Sequence, residues 1–326
     1  MGVYLQTFEA YFVAGSSKVT DRLYANGNQQ VKVAINIRKQ MDGLDMPLTP
    51  EEKESVTIVA LSTNVNAPIY AGWSCDKTKN EYDEGLRGEK GSQYAEDNLT
   101  YLNNQQKQGE ERKSAGPETI YRYLRAAANA SEAMEFMAVV TIDGEKFTTN
   151  MDPHRQILIV TPYLPYEIKT NELSLKRDDA FNFQYAPWKM VDVDIYYWTL
   201  PSSLIIMYQT LVGGKPVLSV GTTAGQTSGS GDRARVCLVL DTRTEKLIVI
   251  DILGVSKAPC GTSIVPLVSG NSIIRGLRLS CDSHVESDRE EYNKGCVVTI
   301  VDNLGCVSKL TVRPFEDFNR IDIYDE

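Results

Sequence analysis

The sequence predicts a mainly β protein of two β-sandwich domains, with a long charged insertion in the first and at most one or two short helices. Three observations carry this. In Asp21–Arg38 (DRLYANGNQQVKVAINIR), Val31, Val33, Ile35 and Ile37 recur with a period of two, which puts them on one face of a strand. Phe136–Ile142, Asp143-Gly144 and Glu145–Thr149 spell a hairpin, because Asp-Gly supplies the positive φ values of a type I′ turn. Beyond Pro165, short apolar runs recur between turn residues: Glu172–Lys176, Val191–Thr199, Leu204–Gln209, Ala234–Leu240, Lys246–Leu253, Ile273–Leu279, Cys296–Val301 and Val307–Val312. Such spacing belongs to all-β sandwiches and barrels.

The other elements follow in order. Residues 4–13 alternate, with Tyr4, Gln6, Phe8, Ala10 and Phe12 on one face of a first strand. Asn26-Gly27 is a turn signal ahead of the Val31–Ile37 run. Thr49, Pro50 and Glu52 combine an N-cap, a proline at the first helical position and the glutamate of a capping box. That helix is short, because Ser55–Leu61 (SVTIVAL) already reads as strand. Ala67–Trp73 reads as the next strand. Residues 74–116 are charged, mixed in sign and poor in aliphatic side chains, as expected of a solvated insertion or a projecting binding loop and of a segment that trypsin cuts first. Pro117–Met137 opens with Pro-Glu and is rich in alanine, which favours helix, yet Ile120, Arg122 and Leu124 alternate with Tyr121, Tyr123 and Arg125 as in a strand. Arg155–Tyr163 is a further strand, ended by Pro162 and Pro165.

The length of 326 residues suggests two domains, 1–165 and 166–326, and a hydrophobic share of 42% is enough for two cores. A net charge of -9 without a basic tract argues against nucleic acid and against an anionic membrane surface as partners. No apolar stretch reaches the length of a membrane helix. The N-terminus, MGVYLQTFEAYFVAGSSK, lacks the early positive charge and unbroken apolar run of a secretion signal. Synthesis in the cytoplasm is the expectation, with release by lysis or by a dedicated secretion machine.

Of the 6 cysteines, Cys75 stands alone and Cys237, Cys260, Cys281, Cys296 and Cys306 crowd the last third. Buried free thiols are expected rather than disulfides. In a final hairpin with Val301 opposite Cys306, Cys296 falls opposite Thr311. Five strand steps of about 3.3 Å then hold the two sulfurs' α-carbons well beyond the roughly 7 Å a disulfide tolerates. With no CxxC pair and only His154 and His284, no zinc site, no other metal and no cofactor is expected. The GxSxG nucleophile motif and the GxxxxGK[ST] phosphate loop are absent, so no catalytic residue is assigned.

The candidate binding residues are Trp188, Asp192, Asp194 and Tyr196. Asp192 and Asp194 share a face of VDVDIYYW with Tyr196, and paired carboxylates can hold calcium or do acid/base work. The plainer alternative is an outward polar face, with Val191, Val193 and Ile195 inward. Phe181, Phe183, Tyr185, Trp188, Tyr196, Tyr197 and Trp198 cluster in the same region, as in a core or in an aromatic platform for sugars or proteins. Asp282–Lys294 is a second charged loop, and Gly221–Asp232 is a Gly/Ser/Thr-rich tract.

Tyr24–Ile37 (YANGNQQVKVAINI) resembles the opening of bacterial immunoglobulin-like repeats of the invasin and intimin type, where an Asn/Asp-Gly turn precedes a strand of alternating β-branched residues. The resemblance implies immunoglobulin-like sandwiches whose loops bind something, and it carries over no catalytic residue. The expected function is therefore non-enzymatic. It is a structural or recognition protein that meets a protein or glycan partner through loops and aromatic patches, or meets itself in a homo-oligomeric assembly. The alternative is a toxin acting on membranes, with Gly221–Asp232 as an inserting hairpin. The third reading is an enzyme with a carboxylate site at Asp192 and Asp194.

Overall fold

Alternation of side chains across the sheet planes organises both halves of the chain. The computed structural model describes residues 3–89, 116–186, 189–212, 221–223, 233–240, 246–248, 264–268, 270–281, 296–315 and 320–326. The chain divides into two compact units, Met1–Pro165 with Leu304–Cys306, and Tyr166–Asn303 with Val307–Glu326. The fold is mainly β, built from sheets whose strands pair antiparallel except for one short parallel pair, Ile159–Val160 with Val19–Thr20, and it has one short α-helix among the described residues.

The strands of the first unit are β1 (Val3–Phe12), β2 (Val19–Thr20), β3 (Val31–Met41), β4 (Leu44–Met46), β5 (Thr57–Ala60), β6 (Trp73–Asp76), β7 (Glu118–Ala126), β8 (Met134–Ile142), β9 (Glu145–Thr148) and β10 (Leu158–Val160). One sheet has the order β1-β3-β7-β6 with β4 on β3; the other has the order β2-β10-β8-β5 with β9 on β8. Phe8, Phe12, Val33, Ile35, Ile37 and Leu124 of the first sheet share one buried core with Ile58, Phe136, Val140, Leu158 and Val160 of the second. Trp73 packs on Phe136 with ring centroids 4.8 Å apart. Helix α1 (Pro50–Ser55) carries the full capping box, Thr49 accepting from the Glu52 amide and Glu52 from the Thr49 amide. The Asp143-Gly144 turn joins β8 to β9 with φ of 49° and 84°.

Several expectations need correction here. Of the two readings left open for Pro117–Met137, residues 118–126 take the strand, as β7. Tertiary pairing overrides the alanine propensity: β7 lies between β3 and β6, and Arg122, Leu124 and Ala126 face inward. The strand expected at Ala67–Trp73 starts only at Trp73. In β1 the alternation changes phase, because the register slips between Leu5 and Thr7 and Leu5 joins Phe8, Ala10 and Phe12 inside. The insertion is folded over Lys77–Glu89, and its remaining residues, 90–115, lie outside the described residues.

In the second unit the strands are β11 (Ser174–Ala186), β12 (Lys189–Thr199), β13 (Ile206–Val212), β14 (Gly221–Thr223), β15 (Arg233–Leu240), β16 (Lys246–Ile248), β17 (Ile264–Pro266), β18 (Ile273–Cys281), β19 (Cys296–Asp302), β20 (Val307–Phe315) and β21 (Arg320–Asp325). Their sheets run β11-β12-β18-β15-β14, β13-β19-β20-β21 and β16-β17. The first two pack closely at Gly276. A Cβ there would lie 2.5 Å from Ile321 Cδ1 and 2.8 Å from the Trp198 ring, so only glycine fits. Strand β11 extends far beyond the expected Glu172–Lys176 and includes Phe181 and Phe183. In the final hairpin Val301 pairs with Val307 and Cys296 with Val312, one residue later than expected. Asn303 sets this longer connection by accepting from the Ile205 amide and donating to the Ser203 carbonyl. Cys296 and Cys306 are both buried free thiols. The tract 224–232 and the loop 282–294 lie outside the described residues.

Candidate functional site

Gln29 and Gln30 stand between the Asn26-Gly27 turn and the apolar run of β3, and both are buried. A buried amide must find partners for every polar atom. Gln29 accepts from the Tyr24 amide at 2.8 Å and donates to the carbonyls of Asp83 and Gly85 at 3.0 and 2.6 Å. Gln30 donates to Asp76 Oδ2 at 2.8 Å and accepts from the Asn80 amide at 2.8 Å. Asn80 in turn donates to the Asn28 carbonyl at 2.6 Å and accepts from the Tyr82 amide at 3.2 Å. Two glutamines thereby fasten the segment after β6 to the start of β3.

The turn itself is equally determined. Asn26 Oδ1 accepts from the amides of Asn28 and Gln29, both at 2.9 Å. Gly27 takes φ of 75° and donates its amide to the Ala126 carbonyl at 2.7 Å. Arg125 of β7 donates Nε to Asp76 Oδ2 at 2.8 Å and Nη1 to the Gly27 carbonyl at 2.9 Å.

Between turn and segment lies an open cleft of about 640 Å³, lined by Asn28, Gln30, Asp76, Thr78, Lys79, Glu81, Tyr82 and Arg125, with Cys75 at its wall. That volume is in the range of small-ligand sites, though the lining is far more polar than usual. Burial pushes the Cys75 thiol up, against the pull of hydrogen bonds from Thr57 and Ile58 and of the Arg122 charge. Lys77 is paired with Glu54.

In the second unit, Asp192 and Asp194 do share a face with Tyr196, but the outward polar face expected for them is corrected. Asp194 and Tyr196 are each 1% exposed, and Val191, Val193 and Ile195 on the opposite face are buried as well. Strand pairing explains the burial, because Asp194 lies opposite Arg278 of β18 and Tyr196 opposite Gly276. Arg278 Nη1 bridges Asp192 and Asp194 at 2.5 and 2.6 Å, and Arg177 clamps Asp194 through two hydrogen bonds of 3.0 and 2.8 Å. Burial works against the Arg278 charge, yet the bonds to Asp192 and Asp194 outweigh it and hold the guanidinium above its ordinary value. Asp179 completes a group of three carboxylates within 4.8 Å of one another. Two guanidiniums already occupy this group, as in an internal ion network. Trp188 lies outside the described residues.

Sequence reasoning missed the residues that build the cleft, Gln29, Gln30, Asn80 and Arg125. One signal was available: adjacent amides directly ahead of a strand that is otherwise buried.

No protein-family model matches the chain, and no curated protein matches it. Solved structures that align with it include one titled BspA_C_mut, at 9% identity and TM-score 0.23 over 99% of both chains. Another is the C-terminal domain of the Streptococcus agalactiae AgI/II polypeptide BspA, at 9% identity and TM-score 0.20 over 98% of this chain and 99% of that one. A third is the C-terminal domain of the Streptococcus pyogenes antigen I/II-family protein AspA, at 9% identity and TM-score 0.20 over 94% of this chain and 98% of that one. Likeness at this level carries no argument about fold or function.

Proposed function

We propose that the protein is a non-enzymatic recognition module that binds its partner through the polar cleft of the first unit. The observation that carries this reading is the fastening of the cleft wall by the buried amides of Gln29 and Gln30. A wall held by buried hydrogen bonds is ordered before the ligand arrives, so binding does not have to supply that ordering. A loop on a rigid sandwich is the usual place for such a site. The arginine clamps on Asp192 and Asp194 support a structural use of those carboxylates over the acid/base reading.

The test is binding of the purified full chain to arrays of glycans and of surface proteins, beside the Gln30→Ala and Tyr82→Ala variants. At least one signal should appear and fall about tenfold in both variants, the scale of a lost hydrogen bond or aromatic contact. Signals that survive both changes would place recognition elsewhere and overturn the reading.

A further inference from the structure

The geometry points to a neutral, polyhydroxylated ligand, a short oligosaccharide, as the occupant of this cleft. The inference rests on the recognition reading above and names its ligand class. With Lys77 paired to Glu54, the remaining charged groups of the lining are two carboxylates, Asp76 and Glu81, and two cations, Lys79 and Arg125. They cancel. A free anion would meet Arg125 and Lys79 but also the Asp76 carboxylate, and a free cation would meet the reverse conflict.

What the walls offer instead is donors and acceptors side by side. In the Asp76–Arg125 pair, the arginine uses Nε and Nη1 internally and the carboxylate uses Oδ2. Arg125 Nη2 and Asp76 Oδ1 have no partner among the described residues, so the pair presents N–H donors beside a carboxylate acceptor. Adjacent hydroxyls of a sugar ring match such a doublet, since each hydroxyl both donates and accepts. Thr78 lines the same cleft, and its hydroxyl is a group of the same dual kind. Tyr82 supplies aromatic surface for the C–H face of the ring. An apolar ligand would leave most of this lining unmatched.

The experiment is titration of the full chain with neutral oligosaccharides chosen from a glycan array, with inorganic phosphate and spermidine as charged probes. The expected result is binding of a neutral glycan that weakens about tenfold in Asp76→Asn and in Thr78→Val, with Thr78→Val keeping the circular dichroism and melting of the wild type. Asp76→Asn also touches Gln30 and Arg125, so Thr78→Val and Tyr82→Ala are the variants that leave the fastening bonds in place. Saturable binding of phosphate or spermidine alone would overturn the inference, and so would a glycan signal indifferent to all three changes. If no glycan binds while a surface protein binds and loses affinity in Tyr82→Ala, the ligand class is wrong and the recognition reading stands. If no probe of any kind responds to the cleft variants, both fall.

Discussion

Lys39 and Glu52 form an ion pair of 2.6 Å with side chains 6% and 8% exposed. Glu52 has a second duty, accepting the Thr49 amide at 2.8 Å in the capping box. Glu52→Gln keeps an acceptor for the cap but leaves the Lys39 ammonium buried without its counter-charge. Urea unfolding should show a loss of about 3 kcal/mol, and Lys39→Met in the same chain should recover most of it. A loss below about 1 kcal/mol would mean that water reaches Lys39. His154 gives a pH effect of known sign. Burial holds it below its ordinary value, against the pull of the Leu5 backbone and Glu9. The unfolded chain therefore binds the proton more readily, starting near pH 6.5, and stability is lost as pH falls through and below that point. The urea midpoint of the wild type should drop between about pH 7 and about pH 5. The drop should be smaller in His154→Gln, and equal drops would remove His154 from the account.

At the scale of elements, the bulge in β1 makes an asymmetric prediction. Deleting Gln6 leaves Leu5 in phase with Phe8, Ala10 and Phe12, whereas deleting Glu9 turns the residues on one side of the cut to the wrong face. The first deletion should cost about 1 kcal/mol and the second several, since Phe12 alone contributes about 2–3 kcal/mol by its burial. Melting of the two deletion variants decides it. The same strand shows what was legible in the sequence. Period-two runs located β3, the β8–β9 hairpin and the cap of α1 because each is decided by local chemistry: alternation, a positive φ, a capping box. Residues 118–126 were ambiguous because alanine content and alternation disagree there, and pairing with β3 and β6 decided for strand. Arg122 shows how: its guanidinium, buried against Val56 and Lys53, donates to both carbonyls at 2.7 and 2.8 Å, bonds that no local pattern announces. Most of the cleft was illegible for the same reason, since Gln30, the Asp76–Asn80 segment and Arg125 are distant in sequence and meet only through sheet order.

At the scale of the molecule, each unit owns a core, so damage should stay local. Val33 and Ile35 are fully buried, and Val33→Asp places an unpaired charge there, costing at least about 4 kcal/mol. Calorimetry should lose one transition and keep the other; loss of both would show that the units fold as one. Lys32→Ala and Asn36→Ala should stay within about 1 kcal/mol, because Lys32 lies over the Tyr121 ring at 3.9 Å and Asn36 donates to Glu9 at 3.1 Å, both half-exposed. Trypsin offers a further check. Lys79 and Arg87 lie in the segment fastened by the two glutamines, and cleavage there should be slow in the wild type and fast in Gln30→Ala, contrary to the early cutting that their charge suggests.

Cys75 lines the cleft, but its side chain shares the face of Trp73, packs against the core and hydrogen-bonds toward Thr57 and Ile58 of β5, with its thiol pushed up by burial. Its alkylation by iodoacetamide at neutral pH is therefore slow, and the rate depends on how often the two sheets of the first unit part. Mass mapping of the Cys75 peptide over time thus turns one sulfur into a clock for the breathing of the sandwich, readable without dye or tag.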